Sequence, residues 1–452
     1  MLVATLAREV GGVEWASGIS AAGLLVYVVL QWPALPANAR WILAVATGAG
    51  LVAVPFIDDL VGTLAVSART ASYYAGFFVA TGFLRMAAET SALIQRCGAH
   101  LLAQPTGRQY MALTVGTNVL GLVLSFGALQ LLGTMVGRAV RGAGGGDAVR
   151  DWRQRRLSLA VLRGICMAPA WSPFSVSLAM ALTVSPDADW LAVVPLAFVV
   201  ALLLMLLGWL MENRRPAPQG AGPLAAAGTG TWGDQGRLLL LVLTMFAIAA
   251  ALEEMLQVRL VIAVMASVPV IALIWIGWQL HENGAGRAAA ILGRRLGQQV
   301  LVTFPAYRTE MAILASAGFG GSLVAAALPR QAIAAALVAA DLPAAAIPIG
   351  ILLAIVLGAQ LALNPIITIT VVAAVLPPLA AVGVSPELAA VASMLGFGLA
   401  VGGSPFMLFL LMTARLAGRA PGEVAYRWNG GYTVLAMAAV SALFVAASGA
   451  ML

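Results

Sequence analysis

The residues with the most chemical character in this chain are few and almost all uncharged. Ser-Pro-Phe occurs twice, as Ser172-Pro173-Phe174 within Ala168–Phe174 and as Ser404-Pro405-Phe406 directly after Gly402 and Gly403. Two further polar points interrupt apolar runs, Gly116-Thr117-Asn118 and Leu363-Asn364-Pro365. All four lie inside segments long enough to cross a bilayer. At that depth a freed backbone group must face protein, water or a ligand, because hydrocarbon offers no partner. Free N–H groups at helix N-termini suit an anion, and free carbonyls at the opposite ends suit a small cation such as sodium. Asn and Thr side chains add donors and acceptors. Such chemistry binds ions and breaks no covalent bond. A neutral cage of this kind also avoids an unpaired ionised side chain at mid-membrane, which costs at least about 2.5–3.5 kcal/mol. The expected contact set is Thr117, Asn118, Ser172, Pro173, Asn364, Pro365, Gly403, Ser404 and Pro405. The bland explanation for these polar residues is hydrogen bonding between helices. Recurrence of interrupted segments in matching places of two halves favours a ligand or ion site.

The charged candidates are weaker. Asp58 and Asp59 close an apolar span and are candidate proton- or cation-coupling groups. Arg163, early in the first broken span, either snorkels to the cytoplasm or balances an anionic substrate. Arg85 and Glu89 are four residues apart and share a helix face, as a structural pair would. Glu253, Glu254 and Glu310 read as solvated residues near span ends. His100 and His281 show no partner pattern for catalysis, and Cys97 and Cys166 show neither a disulfide framework nor metal-ligand spacing. No HExxH and no Walker A sequence occurs, so an intramembrane enzyme or an ATP-driven pump is disfavoured, and no cofactor or metal is expected beyond a bound sodium ion.

The elements that must position these residues follow from composition. Of 452 residues, 62% are hydrophobic and 10% charged, and mean hydropathy is +0.97. Soluble domains carry far more charge. Apolar runs of about 20 residues recur throughout, which predicts an all-α polytopic membrane protein rather than a β-barrel. The net charge of +7 comes from arginine alone, since the chain has no lysine, and it marks cytoplasmic loops rather than nucleic-acid binding. No cleavable signal peptide is evident in residues 1–14.

Spans are expected near 16–32, 41–57, 72–95, 190–211, 237–255, 258–280, 309–328 and 430–450, with broken spans at 157–183 and 386–412. Residues 212–236, rich in Pro, Gly and Ala, read as a cytoplasmic linker. Residues 285–300 read as an interfacial amphipathic helix. Arginine clusters at 137–156, 214–215, 287–308 and 415–427 are placed in the cytoplasm by the positive-inside rule. That orientation requires 98–136 and 344–383 to enter and leave on one side, as re-entrant hairpins tipped at Asn118 and Asn364. The expected architecture is then about ten transmembrane helices plus two hairpins. Residues 1–211 and 237–452 form two repeats, the second inverted.

This layout resembles the ion transporter superfamily, which includes divalent anion/sodium symporters, citrate and gluconate permeases, and arsenite and sodium/proton antiporters. In that fold each inverted half carries a hairpin with a polar tip and a following helix broken near a proline. Thr117-Asn118-Val119 and Leu363-Asn364-Pro365 match the asparagine of the usual Ser-Asn-Thr tip but not the whole triplet. The resemblance implies a secondary transporter for a small anion, a carboxylate or similar oxyanion, coupled to sodium or protons. It further implies elevator-type motion, a homodimer, and a bacterial inner membrane. A cation/proton antiporter on the same fold is the alternative, with a channel behind it.

Overall fold

A computed structural model describes residues 1–144, 146–221, 230–281 and 284–449. Among these the chain is helical, without strands. In chain order the helices are α1 (Leu2–Gly11), α2 (Ala16–Gln31), α3 (Ala37–Ala53), α4 (Leu60–Glu89), α5 (Ala92–Leu102), α6 (Thr106–Leu124) and α7 (Phe126–Gly142). Next come α8 (Asp147–Met167), α9 (Val176–Val184), α10 (Trp190–Asn213), α11 (Trp232–Leu256), α12 (Leu260–Gln279), α13 (Ala285–Gln298) and the short α14 (Phe304–Ala306). The last are α15 (Arg308–Ala327), α16 (Arg330–Ala339), α17 (Ala346–Gln360), α18 (Pro365–Val375), α19 (Pro386–Gly403), α20 (Leu408–Ala417) and α21 (Gly430–Gly449). Helix starts follow ordinary capping chemistry. Asp59 accepts from Gly62 N at 2.9 Å before α4, Asp189 from Leu191 N at 2.9 Å before α10, and Ser385 from Leu388 N at 3.4 Å before α19.

Among the described residues eight helices are long and apolar enough to cross a membrane, or nine if α4 and α5 form one bent span. The chain is an integral, all-α membrane protein. Of the ten expected spans, the one not counted is the first broken span, 157–183, because α8 carries Asp147, Arg150, Asp151, Arg153, Arg155, Arg156 and Arg163 and α9 has only nine residues. The arms of the second hairpin are short as well. α17 has 15 residues and α18 has 11, so α17 reaches only about 22 Å, against a hydrocarbon core of about 30 Å. The linker is also shorter than expected, since α10 ends at Asn213 and α11 begins at Trp232; residues 222–229 of it lie outside the described residues.

The chain divides into two compact units, each drawing on both sequence halves. Unit 1 comprises Met1–Thr90, Leu243–Ala340 and Ile366–Pro377. Its centre is α4 against α15, where a Cβ on Gly318 would fall 2.5 Å from Ala71 Cα, so the backbones meet with no side chain between them. Small residues at such crossings are what membrane helices use in place of a hydrophobic drive. α3 and α12 pack on the same pair. Unit 2 comprises Ser91–Val242, Asp341–Pro365 and Pro378–Leu452. It is built on α6 against α8 and α17 against α19.

Within unit 2 the two broken helices match atom by atom. In the first, α8 stops and α9 starts eight residues later. Ser172 N donates to Ala168 O at 3.1 Å, Phe174 N to Ser172 Oγ at 3.1 Å, and Ser175 N to Ser172 O at 3.2 Å. In the second, between α19 and α20, Ser404 N donates to Ala400 O at 3.2 Å, Phe406 N to Ser404 Oγ at 3.2 Å, and Met407 N to Ser404 O at 3.2 Å. The proline in each motif has no N–H, so the serine hydroxyl takes up the next donor along. α9 packs on α19 and α20 packs on α8, the reciprocal arrangement of an inverted pair.

The first hairpin differs from expectation. Gly116, Thr117 and Asn118 do not form its tip. They lie inside α6, and the turn comes at Ser125, whose φ of 48° is left-handed. The polar triplet stays helical because its side chains face α8, not lipid: Thr117 and Asn118 are buried. In the second hairpin the turn does fall beside Asn364, with Ala362 at φ 62°. Its second arm, α18, belongs to unit 1.

Packing around the two breaks relates α6 on α8 to α17 on α19. Gly164 and Gly396 occupy the same place relative to Ser172 and Ser404. A Cβ on Gly164 would meet Thr114 O and Thr117, while one on Gly396 would meet Leu352 and Ile355. By this packing the position on α17 that corresponds to Asn118 on α6 is Val356, one residue after Ile355, and Asn364 lies beyond the end of α17.

Candidate functional site

The two breaks are close together because the helices that carry them cross without side chains between. A Cβ on Gly398 would lie 2.8 Å from Cys166 O and 3.2 Å from Ala170 Cβ, and one on Gly402 would lie 3.0 Å from Cys166 Sγ. The last turn of α8 thus touches the last turn of α19, within a few residues of Ser172 and of Ser404.

Asn118 sits on the first break. Its Nδ2 donates to Gly164 O at 3.1 Å, and its Oδ1 accepts from Trp171 Nε1 at 3.1 Å. An indole N–H only donates, so it fixes which end of the amide faces it and leaves the NH2 for the carbonyl. Trp171 is held in turn edge-to-face on Phe198, 4.6 Å between ring centres. Past the break, Pro169 O accepts from both Ser175 Oγ (3.2 Å) and Ser177 Oγ. Thr117 Oγ1 is buried without a hydrogen-bond partner.

The second break is built in the same way from residues the sequence analysis passed over. Asn429 Nδ2 donates to Gly402 O at 2.9 Å, and Gln360 Nε2 donates to Gly403 O at 3.3 Å. Ser404 Oγ donates to Ala359 O at 2.7 Å, tying the break to the end of α17. Asn429 is oriented by Arg163, whose Nε donates to its Oδ1 at 2.9 Å. Gln360 accepts from Tyr426 OH at 3.2 Å. Tyr426 and Asn429 come from the π-helical turn Glu423–Trp428 and the residue after it, a feature often found at functional places in helices. A polar amide ending an apolar run was the signal for Gln360, whereas Asn429, just after the arginine-rich segment 415–427, gave none.

Arg163 is held inside the helix packing rather than extended to the surface. It is 2% exposed, and its donors are used within unit 2. Nη1 donates to Tyr110 OH at 2.8 Å and to Gly208 O at 3.1 Å, Nη2 lies 3.6 Å from Glu212 Oε1, and the guanidinium stacks over the Tyr432 ring at 4.3 Å. Glu212 is shared with Arg155 at 3.7 Å and Arg215 at 3.8 Å. A buried carboxylate of this sort is tolerable only when so surrounded. Arg163 is therefore a hub whose one link to the site is Asn429.

The remaining expected residues fall in different places. Asn364 and Pro365 are at the second hairpin turn in unit 2. Asp58 and Asp59 are in unit 1, where Asp59 caps α4. Arg85 makes no ion pair with Glu89 among the described residues; it lies 4.3 Å from the Tyr307 ring centre and 5.8 Å from that of Phe78. Gly133 packs inside unit 2, where a Cβ would lie 2.6 Å from Leu416 Cδ1.

The sign of the site follows from these bonds. Carbonyls at both breaks are already occupied by side-chain donors: Gly164, Pro169, Gly402 and Gly403. The starts of α9 and α20 carry no side-chain cap at Ser175 or Met407, a condition they share with most helices of the chain, α6 and α8 among them. Their first turns thus present positive helix-dipole ends without a side-chain acceptor.

No protein-family model matches the chain, and no curated protein matches it in sequence. Solved structures do. The chain is similar to the YdaH transporter of Alcanivorax borkumensis, with a TM-score of 0.52 and 14% identity over 94% of this chain and 97% of that one. It is also similar to MtrF of Neisseria gonorrhoeae, described as illuminating a class of antimetabolite efflux pumps. There the TM-score is 0.57 and the identity 13%, over 91% of this chain and 94% of that one. At these identities the likeness is one of fold.

Proposed function

We propose that the protein is a secondary active transporter of a small anion, a carboxylate or similar oxyanion, bound at the crossing of the two broken helices in unit 2. The observation that carries this reading is the asymmetry of the breaks. Amides and hydroxyls occupy the carbonyls, while the first turns of α9 and α20 keep their N–H groups uncapped. Anions at helix N-termini need no further charge. The fold shared with a transporter and an efflux pump supports membrane transport as the activity; the assignment to the ion transporter superfamily rests on the layout of the sequence. Coupling to sodium or protons, elevator motion with unit 2 as the moving part, a homodimer and a bacterial inner membrane with its basic loops in the cytoplasm belong to this same reading. The rival, a cation/proton antiporter, needs a titrating carboxylate, for which Asp58 and Asp59 in unit 1 rather than the breaks are the candidates. The side chains bonded at the breaks are amides, hydroxyls and an indole.

The test is thermal stabilisation of the purified chain against a panel of carboxylates and inorganic oxyanions, with sodium and pH varied. A ligand that binds the folded state raises the melting temperature by mass action, by about 2.7 kcal/mol of stability at a hundred times its Kd. Stabilisation by one anion class supports the proposal. Stabilisation by cations alone, with every anion inert, overturns it in favour of the antiporter.

A further inference from the structure

The transport reading leaves one element of unit 1 unexplained. α13 has three arginines, Arg287, Arg294 and Arg295, and no acidic residue. One face is fixed: Ile291, Leu292 and Leu296 pack against the cluster of Met86, Ala87 and Ile276 on α4 and α12. Arg295 is fixed too, donating to Thr90 Oγ1 at 3.0 Å and to Gln279 Oε1 at 3.2 Å. Arg287 and Arg294, seven residues apart and hence on one stripe, are exposed and make no ion pair among the described residues.

α13 runs straight into a π-helical turn, Gln299–Thr303, anchored by Gln299 Nε2 on Gly82 O at 3.2 Å. That turn leaves Val300, Leu301 and Val302 at 55%, 76% and 63% exposure, and Trp278 at the end of α12 is 75% exposed. A cationic stripe, an exposed apolar triplet and a tryptophan at one end of unit 1 form the pattern of a helix lying in the headgroup layer.

We propose that α13 with its π-helical turn is a docking surface for anionic phospholipid, the arginine stripe taking the phosphate and the apolar triplet the acyl region. Charge decides the partner. A zwitterionic lipid satisfies the apolar triplet but gives two unpaired guanidinium groups no net counter-charge, whereas an anionic headgroup meets both. Each arginine close to an anionic surface is worth roughly a fivefold gain in affinity, so the exposed pair is worth about 25-fold.

The experiment uses the delipidated full chain in a neutral detergent. Dioctanoyl-phosphatidylglycerol, dioctanoyl-phosphatidylcholine and inorganic phosphate are titrated separately, and the fraction still folded after heating is read. The expected result is stabilisation by the glycerol lipid well below the concentration of the choline lipid needed. That advantage falls about 25-fold in the double variant Arg287→Gln/Arg294→Gln, and falls likewise for the wild type in 0.5 M salt, about the regime where screening is strong. Both substitutions are on exposed side chains, and an unchanged response to the choline lipid verifies the variant's fold. Equal potency of the two lipids on the wild type overturns the proposal. So does an undiminished glycerol-lipid response in the variant, and so does reproduction of the effect by inorganic phosphate, which would make this a free-anion site.

Discussion

Replacing Asn429 by Ala tests the construction of the second break directly. The side chain is 2% exposed and makes two bonds of 2.9 Å, accepting from the Arg163 guanidinium and donating to Gly402 O. A hydrogen bond to a charged group contributes about 1.5–3 kcal/mol and a neutral one about 0.5–1.5 kcal/mol. Side-chain hydrogen bonds between membrane helices average nearer 0.6 kcal/mol. Arg163 keeps Tyr110, Gly208 and Glu212, so the loss stops short of leaving a wholly unpaired buried charge. The expected cost is about 2–4 kcal/mol, read by equilibrium unfolding in mixed micelles of a mild detergent and dodecyl sulfate. Asn429→Asp separates the two bonds, because a carboxylate still accepts from Arg163 but donates nothing to Gly402. It is expected to recover part of the stability lost in the alanine variant without restoring anion-dependent stabilisation. A cost below roughly 0.5 kcal/mol for Asn429→Ala, with wild-type anion response, would show that the Arg163–Asn429–Gly402 chain is incidental and the account of the site wrong.

Other consequences are simpler. Gly164→Ala places a methyl group 2.3 Å from Thr114 O, backbone against backbone, so α6 and α8 must separate; the folded, monodisperse yield should collapse, whereas Gly142→Ala, with nothing within 4 Å, should leave it unchanged. Ser172→Ala combined with Ser404→Ala removes the matching acceptors for Phe174 N and Phe406 N. It should weaken anion stabilisation at least tenfold while costing about 1–3 kcal/mol in unfolding measurements. Asp59→Ala should cost about 1 kcal/mol through the lost cap on α4, and neither it nor Asp58→Asn should change the anion response; loss of coupled transport in either would support the antiporter instead. Trp171→Phe removes the donor that orients Asn118, and the anion concentration for half-maximal stabilisation should rise several-fold with little change in yield.

Hydropathy and proline placement were enough to read a polytopic helical membrane protein, two broken helices at Ser172 and Ser404, and an amphipathic segment at α13. These are local matters: about 20 apolar residues must span, a proline inside a span must free backbone groups, and periodic arginines must find the interface. What sequence could not decide was which polar residue meets which carbonyl. Thr117-Asn118 looked like a turn because a polar triplet interrupts an apolar run, yet α6 passes through it unbroken. Partners 46 and 53 residues away in α8 and at Trp171 satisfy Asn118 there. Arg163 looked like a counter-charge for substrate, and only the packing of α6, α10 and α21 around it shows Nε and Nη1 donating to Asn429, Tyr110 and Gly208 with Glu212 beside Nη2. Asn429 and Gln360 carried no motif at all. Burial forces each polar group to find a partner, but the partner's identity depends on which helices the fold brings alongside, and that information is spread over hundreds of residues of chain.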